Sequence, residues 1–560
     1  MSTMRRTAAH SAPARYAPGA LTAAILVIAA SGCAGTPHYS PPPPVSHTYY
    51  VSPRGDDRDK GSSPGTAWRT LARAERVALH PGDRLLLKGG ARFSGTIAVK
   101  RGEAGDANRP VVIGSYGRGH ATIEATGSPA VSVHNTAGVD IRDLTLTGKG
   151  TAYTRDSGIN VYSDLRDGTK LDHVTVSGVD VSRFQVGIAV GGGAGRTGFK
   201  DVTVRTARLH ANKDAGLLTY GPTFDPRDPG YAHQNVDIAD VQAYRNPGDP
   251  TANDRHTGNG IILGGVRDAT VRHSSAHDNG KRAAAEAPAG PAGIWAYDAT
   301  EVLLEHNTAY RNHTGSRVDG SGFGLDSSVS DATIQYNLAF HNDGPGFYAY
   351  TRHANGAHTN NTMRYNISNN DGRKLPSHGG LAVHGTDIRK LRIYQNTVIM
   401  TASPNGIGPA VQLERGETGV TLRNNLLVTD GSPLVAAESG LDLRDVVLQG
   451  NNYRAPQSKW KVSWAGRAYY ALPDWRAATS QETADDRPTG LTARPCFTGG
   501  ALPDIRSAAD ARLLVPDCPA LQGKGLDLRK DFDTDPGKTD YFGHTVGTPP
   551  PIGAARPAAD

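Results

Sequence analysis

Five short rows in the middle of the chain carry residues able to do acid–base chemistry. GIWAY (293–297) is followed by Asp298, GFGLD (322–326) ends on Asp326, GFYAY (346–350) on Tyr350, GLAVH (380–384) on His384 and AVQLE (410–414) on Glu414. Two carboxyl groups across a groove are what glycoside hydrolysis needs. One, held protonated, donates to the leaving oxygen, and the other attacks as nucleophile or activates water. Asp298 and Asp326, one row apart, are the candidate pair, and their spacing fits both the retaining and the inverting geometry; His384 and Glu414 are further catalytic candidates. Trp295, Tyr297, Tyr348 and Tyr350 alternate with these acids and offer rings for the apolar faces of a sugar, unless they only stabilise the sheet across strands. Asp319, in the Val-Asp-Gly turn before GFGLD, is a candidate substrate ligand.

A second chemistry shares the same rows. Elimination from an acidic polysaccharide needs a base and a cation beside the uronate carboxylate. Arg352, His353, Lys374, His378 and His384 would supply both. A Ca²⁺ ion belongs only to this lyase reading; hydrolysis requires no cofactor. No metal ligands are assigned, because His277, His313, His341 and His353 lack a metal spacing and the Asp56/Asp57/Asp59 loop is not an EF-hand.

The rows must be positioned by something periodic. Residues three after an apolar residue recur at Thr147, Ser177, Ala207, Val241, Ser274, Asn307, Asn337, Asn366, Asn396, Asn425 and Asn451, 26 to 34 residues apart. A fixed period in this range marks a solenoid. Asn in the last six coils predicts amides stacked at the ~4.8 Å strand spacing, each bonded to the next. Within each row the second and fourth residues are apolar, as in Ile159/Val161, Phe323/Leu325 and Leu381/Val383, so the third and fifth point outward. Several short strands per coil without helical periodicity predict an all-β parallel β-helix.

Residues 48–125 form an N-terminal cap module in which a helix starting near Ala67, with Trp68, Leu71, Ala74 and Val77 on one face, covers the open end of the solenoid. Coils occupy 126–455 and a C-terminal segment 456–560. The cap, the coils and the ending DYFGHTVGTPPPIGA (540–554) resemble the secreted right-handed parallel β-helix family of pectate-lyase-like polysaccharide lyases and β-helix glycosidases. That resemblance implies one right-handed solenoid and a carbohydrate-active protein, with a glycoside hydrolase favoured by the outward carboxylates. In the family, segments like GFGLD often read GFDLD, with acids at both outward positions. Gly324 stands in place of the first, which keeps a noncatalytic, surface carbohydrate-binding protein open as a third reading.

The remaining sequence sets location and partners. Arg5, Arg6 and Arg15 precede the apolar run 20–30, which is shorter than a bilayer span and has the layout of a secretory signal. It closes on Ala-Ser-Gly-Cys33, similar to a bacterial lipoprotein box with lipidation at Cys33, although Ala30 stands where Leu is usual and a simple secreted form stays open. Residues 34–47, with Pro41–Pro44, read as a polyproline tether. Lipidating Cys33 leaves Cys496 and Cys518 of the 3 Cys to pair, a loop worth about 3 kcal/mol under the chain-entropy model. The formal charge of +6 is spread along the chain without a basic run, which argues against nucleic acid. The expected protein is an extracellular, cell-surface monomer that meets a polysaccharide or glycan and touches the membrane through its lipid alone. If Cys33 is lipidated, the protein fractionates with membranes and Cys33→Ser releases it or leaves it unprocessed; equal membrane association of both forms would refute the anchor.

Overall fold

In the computed structural model, described over residues 45–125, 127–148, 154–222, 224–352, 356, 358–374, 378–401 and 408–557, the apolar rows stack in parallel, in register, as expected. Fourteen of the strands form one sheet that runs from Ile97–Val99 through Ala292–Tyr297, Ser321–Leu325, Phe347–Thr351 and Leu381–Gly385 to Arg467–Tyr469. All its pairings are parallel except the last, between Val462–Trp464 and Arg467–Tyr469. Twenty-eight further strands form the other wall. Ile294, Phe323, Phe347, Leu381 and Val411, the second residues of successive rows, are fully buried between the walls. Two-residue alternation therefore builds a thin, continuous core.

Buried amides hold the coils together along the axis. Asn307 Nδ2 donates to Asn337 Oδ1 (3.1 Å), Asn337 to Asn366 (3.1 Å), Asn366 to Asn396 (3.0 Å), Asn396 to Asn425 (3.0 Å) and Asn425 to Asn451 (2.9 Å). Each Oδ1 also accepts the backbone N–H of the preceding Asn, as at Asn366 and Asn396. A second ladder runs parallel to it through Asn246, Asn279, Asn312 and Asn342. Because every amide in both ladders points its N–H the same way, the last one needs a partner that only accepts. Asn451 Nδ2 donates to Glu482 Oε1 (2.8 Å), and Asn342 Nδ2 to Asp371 Oδ1 (2.7 Å). Asp371 is thus the buried end of a ladder, not only a residue of an Asn-Asp-Gly turn.

The N-terminal helix is shorter than its apolar spacing suggests. Trp68 pairs in extended conformation with Val51, and the Thr70 side chain accepts the N–H of Arg73, so the helix spans only Leu71–Ala74. Trp68, Leu71 and Ala74 still pack into the end of the core. At the other end Cys496 and Cys518 are joined, with Cα atoms 5.3 Å apart. From there Phe497, Ile505, Leu514 and Ile552 run back over Phe340, Ile367 and Leu426 on the outside of the coils.

Replacing Asn366 or Asn396 with Leu removes a donor and an acceptor from a buried chain, and the neighbouring amides lose their partners. Each change is expected to destabilise by more than ~1 kcal/mol in urea unfolding. An unchanged midpoint in both would mean that the ladder does not stabilise the fold.

Candidate active site

Strand register sets the site. Gly264 pairs with Tyr297, Ala296 with Leu325, Leu325 with Ala349, Tyr350 with His384 and Val383 with Leu413. One column on the outer face therefore reads Tyr297, Asp326, Tyr350, His384, Glu414, a rung of ~4.8 Å apart. Asp326, Tyr350, His384 and Glu414 line a cleft of about 400 Å³. Asp319 and Arg352 join them there, as do His378, Arg317 and the buried Tyr348.

Tyr348 owes its position to a glycine. A Cβ on Gly324 would lie 2.1 Å from Tyr348 Cζ, so the ring occupies the space that any other side chain would fill. Tyr297 lies across Gly264 in the same manner, with Cζ 2.2 Å from a Cβ there. The space above Gly324 is filled by the protein's own tyrosine. Lying there, Tyr348 donates from Oη to Asp326 Oδ2 over 3.4 Å.

The two aspartates of the cleft are provided for unequally. Asp326 Oδ1 accepts the N–H (2.6 Å) and the hydroxyl (3.0 Å) of Ser327. Burial raises its pKa, and Ser327, Tyr348 and the Arg352 guanidinium oppose the rise. Asp319 Oδ2 takes a single N–H among the described residues, that of Gly290 at 2.8 Å. Burial pushes Asp319 up to about 7, and the charge of Asp326 adds to the rise. Burial thus raises both acids, and of the two Asp326 has the more hydrogen-bond donors to hold a charge.

His384 and Glu414 form a dyad. Nδ1 of His384 lies 3.0 Å from Glu414 Oε1, and Glu414 Oε2 accepts the N–H of Gly385 at 2.9 Å. The His384 bond holds the Glu414 carboxyl below its usual range. Nε2 of His384 is buried and has no hydrogen-bond partner among the described residues. Burial pushes His378, whose ring centroid is 5.5 Å from that of His384, down to about 4, so it is a neutral neighbour.

Of the expected site residues that are described, Asp298, Tyr297, Trp295 and Lys374 lie outside the cleft lining. Asp298 turns out of its row with φ of 46° and lines a separate recess with Tyr297. Trp295 is buried among Ile262, Tyr348 and Ala382, donates from Nε1 to Asn259 Oδ1 (3.1 Å) and meets the edge of His256. It braces the face instead of meeting substrate, because loops cover the aromatic positions that alternation alone places outside. His353 lies outside the described residues. Lys374, a cation of the elimination reading, donates to the carbonyl of Thr314. Among the described residues no group of three His, Cys, Asp or Glu side chains is placed to hold a metal. The signal for Tyr348 as a partner of Asp326 was present in the sequence as a glycine one row before a tyrosine in the same column.

Comparison with known proteins adds the hand of the coil. Residues 232–427 match the family described as right handed beta helix region. The coil is a right-handed β-helix. Over 482 aligned residues the chain is 24% identical to a lacto-N-biosidase of Bifidobacterium longum subsp. longum, an alignment covering 68% of this chain and 29% of that protein. The chain therefore spans less than a third of its relative's length. Among solved structures it is similar to a GH136 lacto-N-biosidase from Eubacterium ramulus, with 19% identity and a TM-score of 0.47 over 62% of this chain and 64% of that one. It is also similar to an alginate lyase from Paenibacillus sp., with 17% identity and a TM-score of 0.38 over 56% of this chain and 97% of that one.

Gly324→Ala puts a methyl group where the Tyr348 ring lies. Overpacking of this kind costs about 1–3 kcal/mol, read by urea unfolding. In a Tyr348→Ala background the same Gly324→Ala change should cost less than it does in the wild type. Full stability in the single variant would mean that Tyr348 is not seated on Gly324.

Proposed function

We propose that this chain is a glycoside hydrolase that cleaves an extracellular glycan in the cleft of Asp319 and Asp326. One observation carries the reading: two half-buried carboxyls share the cleft, one with three hydrogen-bond donors and a guanidinium, the other with one backbone N–H among the described residues. Environments that push two acids apart in proton affinity assign their roles. Asp319 is the general acid, donating its proton to the leaving oxygen. Asp326 is the charged partner, acting as nucleophile or as the base that activates water. Tyr350 and Arg352 edge the substrate, and the His384–Glu414 dyad lines the cleft beside it.

The relative supports a substrate class to test first. A lacto-N-biosidase acts on lacto-N-biosides, and a glycan ending in that disaccharide is the first substrate to test. Hydrolysis needs no metal in this scheme. A tether at Cys33 would hold the cleft at the cell surface, where such glycans are met.

With p-nitrophenyl lacto-N-bioside, Asp326→Asn is expected to lower kcat by at least ~10²-fold with unchanged stability. Full activity in that variant would overturn the assignment. Release of an unsaturated uronate from an acidic polysaccharide, read by its absorbance, would replace hydrolysis with elimination.

The pH profile tests the acid. Asp319 must be protonated to donate, and its raised pKa keeps the proton up to about 7. Activity should therefore fall as pH rises through about 7, and Asp319→Asn should remove most of it at every pH. An activity that is flat from pH 6 to pH 9 would exclude Asp319 as the acid.

A further inference from the structure

One rung before the cleft, the same outer face opens into a second recess of about 230 Å³. Its floor is Tyr297, lying over Gly264, with Asp298 beside it. Phe224 and Tyr231, from the segment that crosses this face, form the walls with ring centroids 6.0 Å apart, and the Arg267 guanidinium sits 5.3 Å from the Tyr231 ring. Arg196 and Asp228 are paired with each other at its edge.

We propose that this recess is a second sugar subsite, holding a neutral residue of the same glycan whose scissile bond lies in the cleft of Asp319 and Asp326. The inference rests on the hydrolase reading of that cleft. Continuity comes from register: Tyr297 of the recess and Asp326 of the cleft are successive members of one column. A chain lying along the helix axis passes from one to the other within a rung, ~4.8 Å. Chemistry comes from the lining. Three rings offer apolar faces, and the Asp298 carboxyl offers a hydrogen-bonding group to hydroxyls.

Charge favours a neutral ligand. Arg196 is already committed to Asp228, and the guanidinium of Arg267 to the face of Tyr231. Burial, with the charge of Asp326 adding to it, pushes Asp298 up to about 7, so near neutral pH it both donates and accepts. An acidic sugar would find this carboxyl in its way. The position also accounts for a carboxyl that lies outside the cleft yet is half-buried in a neighbouring hollow. Asp298 binds the chain; it does not cut it.

Chain length tests the subsite. The intact protein is assayed on p-nitrophenyl lacto-N-bioside and on the same disaccharide carried by a neutral disaccharide at its reducing side. The wild type is expected to show kcat/KM at least tenfold higher on the extended substrate. In Phe224→Ala and Tyr231→Ala that ratio should fall below threefold, through KM. A ratio near one in the wild type, or a ratio that survives both changes, would overturn the subsite. If neither substrate is cleaved, the reading of the cleft fails, and the recess is decided by saturation-transfer NMR with the extended tetrasaccharide. Transfer lost in Phe224→Ala retains it as a sugar site, and transfer that is absent from the wild type or unchanged in the variant overturns it.

Discussion

Register is the constraint from which the rest of this structure follows. A parallel coil repeats its backbone every ~4.8 Å, so whatever occupies a position in one coil is set directly against its counterpart in the next. Inside the wall this forces like against like, and a buried amide stacked on a buried amide is satisfied only if all point the same way. The ladder from Asn307 to Asn451 obeys that rule, and its direction creates a need at the end for an acceptor without a proton of its own. Glu482 meets that need with four partners, Asn451, Tyr453, Gly450 and Thr489. A chain of buried hydrogen bonds is stabilising only when both ends are closed.

Outside the wall the same constraint crowds large side chains, and the column relieves it with glycine. Tyr297 lies over Gly264, Tyr348 over Gly324 and Tyr220 over Gly191, where a Cβ would stand 2.3 Å from the Tyr220 ring. Each tyrosine is laid down along the axis instead of standing off the sheet. At Gly324 this has a chemical result, because the hydroxyl of the flattened ring reaches the Asp326 carboxyl. The absence of an acid at 324, which by analogy with GFDLD segments argues for lost activity, is here the means by which the remaining acid is held.

Much of this was legible from residue order. A two-residue period places Asp326, Tyr350, His384 and Glu414 on one face, and a period near thirty places them in adjacent coils; both are backbone geometry, which sequence reports directly. Asp319 was legible only as a residue near the face, because its burial depends on how the segment at Gly290 folds over it. Trp295 and Asp298 went astray for related reasons. Alternation says which way a side chain leaves the sheet, not whether a loop closes over it, and the loop bearing His256 closes over Trp295. Asp298 stands one residue past its strand, where a left-handed φ turns it away from the column. The second amide ladder lies in the turns between strands, where Asn and Asp have local roles of their own, so its spacing was masked by a sufficient local explanation at Asp371.

The difference in surroundings between Asp319 and Asp326 also depends on what lies outside the column. Asp326 directly follows its strand, and the Ser327 backbone and a tyrosine seated on Gly324 supply its donors, so its surroundings are set by the coil. Asp319 belongs to a turn, with φ of 60°, and receives one N–H from another loop. Its proton affinity is therefore a property of how tightly those loops exclude water. Relatives on the same scaffold could keep the charged partner by keeping the coil, while the strength and placement of the acid would shift with the loops. Function on a β-helix is thus set less by the coil, which fixes where groups stand, than by the loops, which fix how dry they are.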